Sequence, residues 1–402
     1  MNRLTNTVRP YAWGSATAIP ELLGAEPTGE PQAELWMGAH PGAPSRVDRG
    51  DGPVPLDAVI DADPAAELGE ATVKRFGPHL PFLLKVLAAG APLSVQVHPD
   101  LEQARAGFAD EEARGVPFDA PHRNYKDPNH KPEMIVALSP FDGLCGFRRP
   151  AEAADLIEAL GVDTLRPYAD ILRAHPEDQA LREVLAAILG AEAEAIAETV
   201  HAATEAAARL AGTPGARYAA DYAAYAKAAR SFPGDRGVIA AMLLNHVRLQ
   251  PGEALYLGAG VPHAYLDGLG VEIMANSDNV LRCGLTPKHI DVPELLRIVR
   301  FEAGDPGVLR PEAAPDGEEL YAAPIDEFRL SRYVLAPGAD ARVLDPGAPQ
   351  ILLCTSGTVR LRTPGDPGDV LTLARGESAF VPAGERTALD GEGTVFRATV
   401  AS

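Results

Sequence analysis

The chain is poor in cysteine, in aromatic residues, in positive charge and in long apolar runs. Its three cysteines, Cys145, Cys283 and Cys354, stand in 402 residues. That number and spacing exclude a disulfide framework and a zinc ribbon, so each is read as a reduced, buried thiol. No apolar stretch approaches the roughly 20 residues needed to span a bilayer. The opening MNRLTNTVRPYAWG lacks the apolar segment of a secretory signal. A cytoplasmic protein without a membrane partner is therefore expected. Lys and Arg number 36 against 56 Asp and Glu, a formal charge of −20. Such a surface repels phosphate backbones, which argues against a nucleic-acid partner. A small anionic substrate would need a local cation cluster, which can prevail because salt screens the global field beyond about 8 Å. Oligomeric state is open, with a monomer as the expectation.

What is present is ordinary globular material. Hydrophobic residues make up 46% and charged residues 23%, enough for a real core, and the length suits two or three domains of roughly 150 residues. Residues 1–147 are rich in Pro and Gly. The runs PFLLKVLAAG, PLSVQVHPD and PEMIVAL read as strands between turns, the first also fitting a short buried helix. Residues 148–245 change to Ala and Glu. Leu181, Val184, Leu185, Ile188 and Leu189 repeat at helical spacing, and Gly161, Pro176, Gly190, Gly212 and Pro214 punctuate five or six helices. This segment is expected to be a packed helical domain without chemistry of its own. Strand patterns return over 246–317 and again over 318–402, where TVRLRT alternates and PGDPGD and PAGE mark turns. Many short strands with such turns predict a mainly β architecture of jelly rolls or barrels. PGEALYLGAGVPH and RGESAFVPAGE are similar enough to be equivalent pieces of two related β-domains. Of ten histidines, none follows His289, so a metal site belongs in the first β-domain.

The candidate ligands begin with VQVHPD. Gln96 and His98 are two apart, so on a strand both point to one face while Val95 and Val97 pack on the other. Glu133 opens the strand in PEMIVAL, and His263 sits at the turn in GAGVPHAY. These are imidazole, carboxylate and amide-oxygen donors that zinc accepts, and catalytic zinc sites keep a position open. Spacing alone does not join residues 96, 133 and 263. It would require the helical segment to be an insertion that returns the chain to the same barrel.

At these residues the sequence resembles the type I mannose-6-phosphate isomerases. The similarity lies in YAWGS at 11–15, AELWMGAHP at 33–41, VQVHPD at 95–100, NYKDPNHKPE at 124–133, and the long match YLGAGVPHAYLDGLGVEIMANSDNVLRCGLTPKHID at 256–291. The helical segment and the C-terminal part carry no matching motif. The resemblance implies a metal-dependent, usually zinc, interconversion of mannose 6-phosphate and fructose 6-phosphate. It also implies a cupin-type fold: a catalytic jelly roll (1–147 and 246–317) interrupted by a helical domain (148–245), then a C-terminal cupin-like β-domain (318–402) without a metal site. Matching positions imply Gln96, His98, Glu133 and His263 as ligands of one divalent ion, and Arg282 as the catalytic arginine.

Aldose–ketose isomerisation moves a proton between C1 and C2 beside a carbonyl. It needs positive charge at the developing enediolate oxygen, which Arg282 can supply as a permanent cation. It also needs a base, for which Glu272, Lys131, Asp278 and His130 are the candidates. Lys288, Arg282, Lys85 and Ser94 suit the phosphate end. Trp13 and Tyr265 suit the sugar, while Trp36 reads as structural. Cys283 is expected near the site without taking part. The competing readings are a sugar-binding cupin without catalysis and an iron-dependent cupin oxygenase built on two His and one carboxylate.

Overall fold

A computed structural model describes residues 1–366 and 368–401; Pro367, inside the expected PGDPGD turn, and Ser402 lie outside them. Among the described residues the strands form a ten-stranded sheet, a nine-stranded sheet and a two-stranded ribbon, and their ladders are antiparallel. The main path of the ten-stranded sheet runs Leu244–Leu249, Phe141–Phe147, His263–Ala275, Phe82–Ala89, Glu34–Met37 and Thr7–Arg9. Val95–Val97, Glu133–Ala137, Ala254–Leu257 and Leu281–Gly284 pair beside it. The run that also fitted a short helix is a strand, Phe82–Ala89, buried along its whole length.

One strand organises this sheet. The first half of His263–Ala275 pairs with Phe141–Phe147 and Val95–Val97; its second half pairs with Phe82–Ala89 and Glu133–Ala137. The register slips between Tyr265 and Asp267. Gly268 follows with φ 123°, and a Cβ there would stand 2.8 Å from the Phe141 ring. A bulge beside a glycine bends the strand sharply. Both layers of the barrel are thereby served by a single strand, with His263 near one end and Glu272 near the other.

Side-chain alternation then sorts the faces. Leu84, Val86, Met134, Val136, Val271 and Ile273 point out of the barrel and pack with Phe328, Leu330, Ile351, Leu353, Phe380 and Phe396 of the nine-stranded sheet. Each such side chain contributes about 1.5–3 kcal/mol on leaving water, so this face needs a cover. On the other layer Val95, Val97, Leu144, Leu281 and Cys283 face the helices. The intervening residues, among them Lys85, Gln96, Glu133, Glu272 and Arg282, are left for the interior.

The insertion is real in topology. Phe141–Phe147 and Leu244–Leu249 are paired neighbours, and six α-helices plus one 3-10 turn lie between them in sequence. The Arg148 amide donates to the Leu243 carbonyl at 2.9 Å, closing the neck. In Glu177–Gly190 the buried stripe contains Leu181, Val184, Leu185, Ile188 and Leu189, and Ala193–Ala211 ends at Gly212. The N-terminal part holds helices that the strand pattern did not indicate, including Leu56–Ala62, Glu70–Phe76 and Leu101–Ala113. The last of these begins with a full capping box between Asp100 and Gln103.

The nine-stranded sheet takes its outermost strand from the start of the chain, where Asn2 pairs with Phe380. The two similar phrases adopt the same local form. Glu253 accepts the Gln250 amide and Glu377 the Ala374 amide, each three residues back, at 2.9 and 2.7 Å. Gly252 and Gly376 are both left-handed, and a short strand follows each. All three cysteines are buried and free. Among the described residues no helix is long and apolar enough to cross a membrane.

Candidate metal centre and substrate cavity

His263 faces Gln96 across one ladder, Gln96 faces Arg282 across the next, and Met274 faces Glu133. His98 follows directly after Val95–Val97 and is fully buried. Distant parts of the chain are thus joined by cross-strand pairing. His98, Glu133 and His263 offer ligand atoms that lie within 4.8 Å of one another.

The hydrogen bonds around this trio decide what it holds. His98 Nδ1 bonds the Asn279 carbonyl and His263 Nδ1 bonds the Val261 carbonyl, each at 2.9 Å. A carbonyl only accepts, so both rings carry their proton on Nδ1, and both Nε2 atoms present lone pairs. Each Nε2 stands 3.5 Å from Glu133 Oε2. Three acceptors therefore face one another, and His98 Nε2 is buried without a hydrogen-bond partner. Such an arrangement is unfavourable unless a cation lies between them. Tetrahedral zinc ligands about 2.1 Å from the ion are about 3.4 Å apart, close to the spacing seen. Burial pulls the His98 pKa down to about 4, leaving the neutral, ligating imidazole. Burial alone would raise the Glu133 carboxyl, but the Lys131 ammonium 3.2 Å away leads the opposing influences, and the carboxyl stays well below the usual range. The Gln96 amide nitrogen donates to Ser94 Oγ at 3.3 Å, which orients the amide. The residues fit a divalent metal.

The trio lies at a cavity of about 690 Å³. Of the site residues expected from the sequence, Trp13, Lys85, Ser94, Gln96, Lys131, Glu133, His263, Tyr265, Glu272, Asp278, Arg282 and Lys288 line it, while the fully buried His98 does not. His130 is not among the lining residues, and its ring bonds Glu327 at 2.5 Å instead. Cys283 points away into the helix-facing core, and burial pushes its thiol up to about 12.

One wall is a buried charge chain. Lys85 Nζ lies 3.0 Å from Glu272 and 3.5 Å from Glu34, and the Trp36 indole donates to Glu34 at 2.7 Å. Burial opposes the Lys85 charge, but the two carboxylates prevail and its pKa rises. Burial also raises the Glu272 carboxyl, against the pull of Lys85. The Tyr265 hydroxyl is buried without a hydrogen-bond partner, and burial pushes it well above its usual value. Lys131 is 3.2 Å from Glu133. Asp278 is half exposed and paired with His40, whose hydrogen bond holds it below the usual range.

At the other end Arg282 and Lys288 have no carboxylate partner among the described residues. Burial lowers the Arg282 pKa, and the nearby Arg282 charge lowers that of Lys288. Two cations facing each other without an anion mark an anion-binding end. Trp13 stacks on Tyr11 with ring centroids 5.7 Å apart.

Sequence reasoning missed several contributors. Glu34 and Trp36 line the cavity, although Trp36 read as structural. Ser231 and Phe232, from the helical segment expected to be inert, form part of the wall. Asn279 was visible only as a polar turn residue, yet its carbonyl orients His98.

Comparison with known proteins agrees with this geometry. Residues 1–150 match the family model for the phosphomannose isomerase type I catalytic domain. The chain is 42% identical over 388 residues to mannose-6-phosphate isomerase of Escherichia coli K12, covering 96% of this chain and 95% of that one. It is 33% identical to mannose-6-phosphate isomerase 1 of Arabidopsis thaliana, covering 95% and 89%. A crystal structure of a phosphomannose isomerase variant from Salmonella typhimurium superimposes with TM-score 0.91 at 38% identity, covering all of both chains. A zinc-bound mannose 6-phosphate isomerase superimposes with TM-score 0.89 at 39% identity, covering 100% and 99%. The chain belongs to the type I phosphomannose isomerase family.

Proposed function

We propose that the protein interconverts mannose 6-phosphate and fructose 6-phosphate with one divalent metal, zinc, held by Gln96, His98, Glu133 and His263. The observation that carries this is the convergence of two imidazole lone pairs and a carboxylate around a partnerless His98 Nε2, in a cavity that ends on unpaired cations. When bound, the metal supplies Lewis-acid polarisation of the sugar carbonyl.

The chain's own groups do the rest. Arg282 and Lys288 bind the phosphate, with Ser94 nearby, and so fix which end of the sugar faces Glu133. Trp13 and the buried Tyr265 hydroxyl orient the sugar. The proton on C2 passes to a base while the hydroxyl proton on O2 is transferred to O1. The same base then returns its proton to C1. We assign this relay to the Glu272–Lys85 pair, 3.0 Å apart. A carboxyl raised by burial sits nearer the working pH, and the adjacent ammonium stabilises it once charged. Lys131, against Glu133, and Asp278, at the exposed rim, are the alternatives that variants separate. We take the enzyme to work on a small molecule as a cytoplasmic monomer; its net charge of −20 argues against a nucleic-acid partner.

Readings as a binding-only cupin or an iron oxygenase leave the Lys85–Glu272 pair and the Arg282–Lys288 end unexplained. The test is to load the protein with zinc, add mannose 6-phosphate and follow fructose 6-phosphate, beside a chelated control. Turnover that disappears with the metal is expected. Absence of turnover with every divalent metal tried overturns the assignment.

A further inference from the structure

The phosphate end is built on an unusual backbone. Leu285, just past the strand Leu281–Gly284, has φ 53° and is the sole non-glycine residue with positive φ among those described. It is a buried, bulky side chain in a conformation that costs L-residues about 1–2 kcal/mol. Such a conformer persists only where its surroundings over-determine it.

The surroundings that do so belong to the inserted helical domain. Asp235 lies between the helices Ala219–Ser231 and Gly237–Ala241. Its Oδ1 accepts the Leu285 amide at 3.0 Å and the Gly237 amide at 2.6 Å, and its Oδ2 accepts the Thr286 amide at 2.9 Å. One carboxylate therefore grips both sides of the strained residue. Beside it the two backbones touch: a Cβ on Gly237 would lie 2.2 Å from the Leu285 nitrogen, and a Cβ on Gly284 would lie 2.3 Å from the Gly237 Cα. Thr286 Oγ1 accepts the Lys288 amide at 3.1 Å, which carries the constraint to the cation. Neither Asp235 nor Gly237 lines the cavity.

We propose that Asp235 is a positioning residue for substrate recognition: by holding turn 284–288 in its left-handed form, it places Lys288 beside Arg282 to receive the phosphate. The inserted domain thereby sets the preference for a phosphorylated over a free sugar. This rests on the reading of Arg282 and Lys288 as the phosphate end. Neither Asp235 nor the turn 284–288 is among the residues assigned to the metal.

The test uses the zinc-loaded protein with Asp235→Ala and Asp235→Asn. The measurements are kcat and KM for mannose 6-phosphate, binding of inorganic phosphate by calorimetry, and zinc content. Misplacing a positioning group by about 1 Å can cost up to 10²-fold. In Asp235→Ala, KM and the phosphate dissociation constant should rise together by about tenfold or more, with kcat within threefold and one zinc retained. Asp235→Asn keeps one acceptor but turns an amide toward the Thr286 N–H, and should fall between. It also serves if the alanine variant does not fold. In a Lys288→Met background the Asp235 effect should largely vanish, because both act on the same contact. A folded variant with unchanged KM and phosphate binding overturns the proposal. So does a fall in kcat with zinc loss, or full additivity with Lys288→Met. Phosphate binding is read without turnover, so failure of the isomerase assignment would show separately as an inactive parent protein that still responds to Asp235→Ala.

Discussion

Replacing Asn279 by alanine should weaken metal binding without touching a ligand. Asn279 is fully buried. Its Oδ1 accepts the Lys126 and Asp127 amides at 2.6 and 3.2 Å, and its Nδ2 donates to the carbonyls of Asp127 and Asn129 at 2.7 and 2.8 Å. Its own carbonyl accepts His98 Nδ1–H at 2.9 Å. The residue ties the loop leading to Lys131 and Glu133 to the carbonyl that aims His98. Alanine strands two backbone donors and two acceptors, each worth about 1–3 kcal/mol if left unmet. Water and relaxation recover part of that, leaving a loss of about 3 kcal/mol and a Tm lower by roughly 4 °C in a chain of this size. Loss of a hydrogen bond that orients a metal-bound histidine weakens metal binding by about 10–100-fold. Each factor of ten removes about 1.4 kcal/mol from the stabilisation that saturating zinc confers. The assay is competition for zinc against a chelator of known affinity, with thermal melts of loaded and stripped protein. The Tm gap between the two forms should shrink. A lower Tm with unchanged zinc affinity would refute the reasoning, because the carbonyl would then stay in place without the carboxamide.

Three further variants probe the same geometry. Arg282→Ala should lower kcat and raise KM while the zinc content stays at one per chain; metal loss would mean that Arg282 supports Gln96 rather than substrate. Asp278 is held low by His40, so its ionised form contributes stability above the ordinary carboxylate range, and that contribution is lost as pH falls through its depressed value. The melting difference between the parent and Asp278→Asn should therefore be present at neutral pH, begin to shrink below about pH 4, and vanish only once the pH is below the depressed value. The acid limb of the kcat profile should not move in that variant, whereas Glu272→Gln should abolish turnover; a displaced acid limb in Asp278→Asn would shift the base assignment to Asp278.

Much of the site could be read from the chain because period-two alternation is local. Val95 and Val97 pack outward on the helices while Gln96 faces the cavity, and His98 continues that side just beyond the strand's end. The insertion was legible as a change to alanine and glutamate with helical spacing. Its contribution to the cavity was not, since Phe232 reaches the wall only through the tertiary fold and Asp235 acts through Leu285 and Thr286, some fifty residues away. The helix Leu101–Ala113 was missed although the run Asp100, Leu101, Glu102, Gln103 is a capping-box pattern that the sequence already displays. Asn279 shows why polar turns resist reading: its five carboxamide bonds all end on a loop about 150 residues upstream. Burial, which separates Glu272 from Asp278, likewise depends on sheet pairing, here Glu272 opposite Lys85.

Diffraction from zinc-loaded crystals at the zinc absorption edge tests the central claim most directly. The account predicts one anomalous peak per chain, about 2.0–2.2 Å from His98 Nε2, His263 Nε2, a Glu133 carboxylate oxygen and Gln96 Oε1. A peak elsewhere, or none between the two imidazoles, would contradict it.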